Sequence, residues 1–486
     1  MRKGKGKGRS RSRSRSRSEN KGKCKFKGKR GSVARKRKGP FPGHARRMLD
    51  EAIAEVASMR ERCARDPERD FTRSRVLTLE VMLRMVVTWG KDSLGPEVMD
   101  ALGWRDGDAP TVSAVIQAWE KLSDEALPLL LGALLRRFDT VPYLGRFRLL
   151  AADGTGIPLL PTRDPRTRIT SNQSGAGRNE AHPTCSYDVL RRTFEGMVWQ
   201  GSKEQNEQAA LCELVDSTYP GRSPEGVALR ALWIADRGYC GFNVLCHLLE
   251  AGASFVVRAS DEWVRNLLRD ELPEGEFDVD VERILTVTRS ERHRTRPDEP
   301  QLYRRVSSPQ RLDVLPRGSF GEYPVRLRVI RVAIPSDDAD PNKCGDRWPD
   351  LVTDLPRDEY PVEVIVQTYR YRWSEEIGFP RPRHTVGLDW PRTRDFGRAC
   401  QEVYGRLVLY DACSLGTSRV PKPKPGPKYE RAVDASVALK AMLRLIRGRD
   451  ADVEDIALKY THPMREGRDN PRRERTQRAP SPSRRG

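Results

Sequence analysis

The sequence predicts an α/β protein, a mixed sheet flanked by helices, that follows an all-helical N-terminal domain and is interrupted by a β-rich insertion. Three observations carry that class. Between Met48 and about Val141 the apolar residues recur at helical spacing: Leu79, Met82, Leu83 and Val86, and again Val112, Val115, Ile116 and Trp119, fall at i, i+3, i+4 and i+7. From Phe147 the pattern changes to short apolar runs of strand length separated by helical stretches. Two of those runs, ending at Ala152 and Ala235, stop abruptly at an aspartate with glycine close behind, Asp153-Gly154-Thr155 and Asp236-Arg237-Gly238-Tyr239. That is the pattern of a buried strand with a carboxylate at its exit.

Residues 1–47 are Lys-Gly and Arg-Ser repeats with almost nothing to bury, and they are expected to be disordered. They hold 21 Lys or Arg against the single acid Glu19, which is +20 of the chain's net +21, so residues 48–486 sum to only +1. The tail from Arg465 to Gly486, also expected to be disordered, has eight basic and three acidic residues, which leaves 48–464 at −4. Any DNA groove in the body must therefore come from local clusters of Arg and Lys. The arm itself reads either as a tether holding phosphates by counterion release or as an extension upstream of Met48.

The helical domain covers 48–141, and helix faces this apolar read as core in preference to a DNA-docking surface. Strands are expected at Arg148–Ala152, Cys185–Leu190, Gly196–Gln200, Leu229–Ala235 and Ser254–Val257, with helices at Glu204–Thr218 and Phe242–Ala251. A meander of three strands followed by alternating helices and strands is the order of a ribonuclease H-like core, whose first part is 142–258. Residues 259–355 are charge-rich with short β-like pieces such as Val325–Val332, and they read as an insertion in that core. Helical character resumes from Pro361 through Glu376, within a core completion at 356–420, and again from Gly397 to Leu415; 421–464 read as a C-terminal helical segment.

Nine cysteines, an odd count without a CxxC pair, support neither a disulfide framework nor a zinc ribbon. The longest mostly apolar run, Leu127 to Leu135, is too short to span a bilayer, and the basic start lacks the apolar stretch of a secretory signal. A soluble cytoplasmic protein without membrane partners is expected. Cys240, Cys246 and His247 lie in or beside an apolar helix, where core packing is the ordinary fate and metal binding the lesser reading. Trp263 and Trp348, in the insertion, read first as packing residues and second as platforms for a stacked base.

The segment Tyr369-Arg370-Tyr371-Arg372-Trp373-Ser374-Glu375-Glu376 places a carboxylate four residues beyond Arg372 and seven beyond Tyr369. Alone, such spacing on a helix usually marks a solvated ion pair. Two strand-end aspartates plus a helical glutamate are, however, what a two-metal phosphoryl-transfer site needs, because hard divalent cations take oxygen ligands.

At these residues the chain resembles DDE transposases of the insertion-sequence family 4 type, whose third motif has the form Y-x2-R-x3-E-x6-K. Tyr369, Arg372 and Glu376 match it, with Arg383 at the lysine position. The likeness covers about residues 48–420 and extends to Phe71-Thr72-Arg73, the Ser113–Leu122 helix and Leu351-Val352-Thr353-Asp354-Leu355. The resemblance implies that Asp153, Asp236 and Glu376 are the catalytic, metal-holding carboxylates for two Mg²⁺ ions, Mn²⁺ substituting, about 4 Å apart. It implies that Tyr369, Arg372 and Arg383 contact DNA, and it selects Glu376 over Glu375, since helical neighbours face about 100° apart. The implied activity is cut-and-paste transposition by hydrolysis and transesterification at DNA phosphodiesters. The implied partners are the element's terminal inverted repeats, a target DNA and a second copy in a homodimer, at the bacterial nucleoid.

Asp153 and Asp236 are 83 residues apart and Asp236 and Glu376 are 140 apart, a surplus in the second interval that agrees with an insertion there. One departure stands out. Pro380 and Pro382 follow the motif where the family has a continuous helix, and each costs about 3 kcal/mol inside a helix, so an interrupted motif helix and an impaired copy are expected. Arg383 in place of lysine exchanges a flexible ammonium for a planar fork. Two other function classes remain open: a metal-dependent nuclease with the same core and no strand joining, and a non-catalytic nucleic-acid-binding protein with an Arg/Ser arm, although no RNP-type aromatic sheet motif is present.

Overall fold

The computed structural model describes residues 41–73, 76–90, 92–102, 110–169, 177–219, 221–269, 272–287, 302–306, 312–315, 321–332, 349–372, 380–389 and 391–464. Six helices come first: α1 (Phe41–Ser58), α2 (Arg60–Cys63), α3 (Leu79–Thr88), α4 (Leu94–Leu102), α5 (Val112–Trp119) and α6 (Ala126–Leu135). The helical spacing of the apolar residues is realised directly. Met82, Leu83 and Val86 are buried on α3, and the Thr78 and Thr111 side chains accept the backbone N–H of Val81 and Ala114 to cap α3 and α5. Ordered chain reaches further upstream than Met48. α1 starts at Phe41 because its buried stripe of Ala45, Leu49, Ala52 and Val56 continues the helical period to that side.

Strands β1 (Phe147–Gly154), β2 (Ile157–Leu159), β3 (Arg168–Ile169), β4 (Arg178–Asp188) and β5 (Thr193–Gly201) follow, then α7 (Glu207–Asp216), β6 (Gly221–Arg222), β7 (Ala228–Ala235), α8 (Phe242–Glu250) and β8 (Ser254–Ala259). β5, β4 and β1 form the antiparallel meander, and β7 and β8 continue the sheet parallel to β1. The spatial order β5-β4-β1-β7-β8, with α7 and α8 as the crossovers that parallel neighbours require, is a ribonuclease H-like core. β4 begins seven residues before the expected Cys185, because its polar start at Arg178-Asn179 is held by pairing with β2 and β3, not by apolar content.

After α9 (Asp261–Leu268) the charge-rich region supplies β9 (Phe277–Thr286), β10 (Tyr303–Arg305), β11 (Glu322–Arg331) and β12 (Asp350–Thr353). These strands extend the core sheet: β12 pairs antiparallel with β8, β11 with β12, and β9 with β11, while β10 runs parallel to β9. The chain then forms α10 (Val362–Arg370), α11 (Pro380–Thr385) and α12 (Phe396–Thr417), and ends with β13 (Arg431–Val433), α13 (Ala435–Ile446), α14 (Val453–Lys459) and β14 (Thr461–Pro463). α10 is shorter than the helix expected through Glu376. It closes at Tyr371, whose N–H bonds to the Thr368 carbonyl, and the Thr368 hydroxyl bonds back to the Val364 carbonyl. Four β-branched aliphatic residues and a back-bonded threonine make a weak helix.

Two cores sandwich the sheet. On one face Leu149, Ala151, Leu232, Ile234 and Val256 pack with α1, α3, α6, α10 and α12; on the other Leu150, Ala152, Trp233, Ala235, Phe255 and Val257 pack with α7, α8 and α9. Strands buried on both faces explain why these runs are apolar without alternation. The N-terminal helices thus share a core with α12. Among the described residues no helix is long and apolar enough to cross a membrane.

Candidate active site

The two strand-end aspartates meet through register. β1 and β7 pair in parallel with Ala151 opposite Ile234, so Asp153 and Asp236, each two residues further on, stand level at the carboxyl ends of adjacent strands. Neighbouring strands are about 4.8 Å apart. The next parallel pair sets Ala235 opposite Val257, which brings Arg258 of β8 level with Asp236. Both aspartates are half-buried, at the point where each apolar run leaves the sheet. Carboxyl ends of parallel strands are where open α/β sheets bind ligands.

Asp236 is held from several sides. The Tyr369 hydroxyl donates to its Oδ1 at 3.3 Å, and Arg258 Nη1 lies 4.0 Å from the same oxygen. The Arg372 guanidinium sits 5.7 Å from the centre of the Tyr369 ring. Burial alone would raise the Asp236 carboxyl, but the Arg237 backbone N–H, the Arg372 and Arg258 guanidiniums and the Tyr369 hydroxyl together hold it below the ordinary aspartate range. Burial pushes the Tyr369 hydroxyl up to about 12, so it stays a donor. With 7% of its surface exposed, Tyr369 addresses the carboxylate instead of presenting its hydroxyl to solvent.

Arg383 reaches the other aspartate's turn. Its Nη2 donates to the Thr155 hydroxyl and, at 3.0 Å, to the Gly156 carbonyl, while its Nε lies 3.0 Å from Asp389 Oδ1. The fork of an arginine suits this use, since it serves the Asp153 turn and Asp389 at once. Asp153, Asp236, Tyr369, Arg372 and Arg383 therefore come together at one edge of the sheet. Glu376, with Glu375, lies outside the described residues, and so does Trp348.

Three residues at this edge carried no signal in the sequence. Arg258 is a lone cation after Phe255-Val256-Val257, and only the β7–β8 register gives it a role. His182 Nε2 donates to Glu207 Oε1 at 3.1 Å, and Gln205 Nε2 donates to the same oxygen at 3.2 Å. Glu207 opens α7, where an acid is ordinary. Of the residues weighed for metal or base contacts, the two cysteines and Trp263 pack in the core or against it, and His247 bridges two carboxylates. Cys240 and Cys246 are buried, His247 is bonded by Asp216 and Asp313, and Trp263 packs against Phe242 at 5.0 Å.

Among the described residues no three His, Cys, Asp or Glu side chains are gathered as a metal site. Asp153 and Asp236 nonetheless suit one by donor chemistry, offering the carboxylate oxygens that hard divalent cations prefer. A family model described as the transposase DDE domain matches residues 145–411, from just before β1 into α12. No curated protein matches the chain. Among solved structures the chain is similar to one described as a cryo-EM structure of piggyBac transposase synaptic complex with hairpin DNA, at 11% identity and a TM-score of 0.41, covering 84% of this chain and 79% of that one.

Proposed function

The chain belongs to the family of transposase DDE domains, and from that premise we propose that it is a DDE transposase of the insertion-sequence family 4 type, which moves its own element by metal-dependent cut and paste. The observation that carries the reading is the register that sets Asp153 level with Asp236 on adjacent parallel strands. In this reading Asp153 and Asp236, joined by Glu376, would hold Mg²⁺ or Mn²⁺, which when bound would stabilise charge on the attacking and leaving oxygens at DNA phosphorus.

The chain's own residues orient that chemistry. Tyr369 donates to Asp236 and fixes the rotation of its carboxylate. The Arg237 backbone N–H, then Arg372 and Arg258, draw the Asp236 carboxyl below its ordinary range against the burial that would raise it, and Arg372 would also serve a DNA phosphate with its fork. Arg383 clamps the Thr155-Gly156 turn behind Asp153. No protein nucleophile is needed. A water oxygen attacks phosphorus, the bond to the 3′-oxygen breaks, and the freed 3′-hydroxyl attacks the opposite strand and later the target. The partners of this reading are the element's ends and target DNA, engaged by a homodimer.

The test is excision, in cells, of a marker flanked by the element's own ends. Excision with the chain as written and its loss in Asp153→Asn support the reading; cutting without end specificity would make the chain a nuclease instead. The reading includes an impaired copy, which rests on Pro380 and Pro382 following the motif; in the structure both lie in the first turn of α11 (Pro380–Thr385), where the missing backbone N–H costs no helical bond. Excision that rises when Pro380 and Pro382 are both replaced by alanine supports impairment, and unchanged excision removes it.

A further inference from the structure

We propose that residues 419–429, the connector between α12 and β13, are a stiff cationic strap that binds the DNA backbone; the inference rests on the reading of DNA as the chain's partner and adds to it a phosphate-holding segment outside the catalytic residues.

In Arg419-Val420-Pro421-Lys422-Pro423-Lys424-Pro425-Gly426-Pro427-Lys428-Tyr429 every second residue from 421 to 427 is proline. Each proline fixes its own φ at about −65°, and Val420, Lys422, Lys424 and Gly426 each precede a proline, which keeps them extended as well. Local sterics alone therefore confine residues 420–427 to extended or polyproline II backbone. No helix or strand includes them, and the segment is held at its two ends. At the first, the Val420 N–H donates to the Thr417 carbonyl at 3.1 Å and the Arg419 guanidinium lies 4.4 Å from the centre of the Phe41 ring. At the second, the Gly426 N–H donates to the Tyr429 carbonyl at 2.9 Å, just before β13 pairs with β14.

Between Asp411 and Glu430 the chain has no acidic residue, and Arg419, Lys422, Lys424 and Lys428 give that interval +4 within a body, 48–464, that sums to −4. Lys422, Lys424 and Lys428 are exposed, and among the described residues none of the three is paired with a carboxylate. A solvated face elsewhere on this protein matches its cations with acids, as Arg62 is matched with Glu125 and Arg84 with Asp50; the strap does not. A stiff, unpaired cationic segment suits a phosphodiester backbone. The prolines already hold the backbone that binding would otherwise have to order, and lysine ammoniums meet phosphate oxygens without reading sequence. The other common use of exposed polyproline II is capture by an aromatic-lined groove of a partner domain, which reads prolines three residues apart. Here the prolines fall at 421, 423, 425 and 427, so no two of them are three apart. The strap also lies past residues 145–411, the span of the transposase DDE domain.

The experiment is a fluorescence-anisotropy titration of a labelled, mixed-sequence DNA duplex with the full chain at several salt concentrations. It compares wild type with the triple variant Lys422→Gln, Lys424→Gln, Lys428→Gln and with the triple variant Lys422→Arg, Lys424→Arg, Lys428→Arg. All three positions are exposed, and thermal unfolding checks that the fold is retained. In the glutamine variant the dependence of log affinity on log salt should flatten by about 0.9 for each phosphate released, or about 2.7 for all three, while the arginine variant keeps the wild-type slope. A wild-type slope in the glutamine variant overturns the strap and leaves the DDE reading standing, with the connector a spacer or a protein ligand instead. A flattened slope in the arginine variant overturns it as well, because the loss then does not follow charge. A wild-type chain that fails to bind the duplex at low salt removes DNA as the partner, and this inference with it.

Discussion

Asp236 is the residue on which most of the site converges, through one hydroxyl and two guanidiniums. Tyr369→Phe isolates the hydroxyl, because the ring stays in its buried position while the 3.3 Å bond to Asp236 disappears. The expected cost is about 1 kcal/mol in urea unfolding, and cleavage of end DNA should slow about tenfold as the carboxylate loses its orientation. Cleavage at the wild-type rate would remove the positioning role. Tyr369 and Arg372 are legible as a pair from the motif spacing, and it is the family resemblance that implies contact with DNA for them. Burial redirects Tyr369 to the carboxylate, and burial is a property of the packed helix that spacing does not contain. Arg258 is not legible at all, since its role depends on which residue of the neighbouring strand it faces.

Among the elements, His247 joins three pieces of chain. From α8 its Nδ1 meets Asp216 at the end of α7 at 2.9 Å, and its Nε2 meets Asp313 at 2.7 Å. Burial would lower its pKa, but the two carboxylates outweigh that and raise it. A raised histidine contributes stability that is fully present below its unfolded value of about 6.5 and is lost as pH climbs through the folded value. The stability gap between wild type and His247→Gln, read by urea unfolding, should therefore be wider near pH 5.5 than near pH 8.5, by on the order of 1 kcal/mol or less because both acids are largely exposed. A gap that widens with rising pH would refute the bridge. Element boundaries show the same division as the residues. β7 is legible almost to its ends because both faces are buried and every position near its exit is apolar or small, whereas the polar first half of β4 is not, being held by pairing with β2 and β3.

For the whole molecule the charge distribution matters more than its sum. Nearly all the net positive charge lies in residues 1–47, while 48–464 carry −4. If the arm holds DNA, removing residues 1–40 should weaken non-specific DNA binding and flatten the dependence of log affinity on log salt by about 0.9 for each phosphate the arm had neutralised. A titration at several salt concentrations measures this, and an unchanged slope would exclude the arm from DNA binding. The division into a helical domain, a core and an insertion also changes at this scale. The N-terminal helices share one core with α12 and a sheet face, and β9, β11 and β12 lengthen the core sheet past β8. Apolar content identifies helices and strands in both regions, yet it does not say what they pack against.

Local pattern was enough for the α/β class, the meander followed by crossovers, and the two aspartates at strand exits, because these depend on periodicity and on abrupt changes from apolar to charged residues. It took the folded chain to make those exits level, to turn Arg258 and Tyr369 toward Asp236, and to clamp the Asp153 turn with Arg383. Each of these rests on strand register or helix docking between residues tens to hundreds of positions apart, where pairing across the sheet and burial against it select one arrangement that no local pattern encodes.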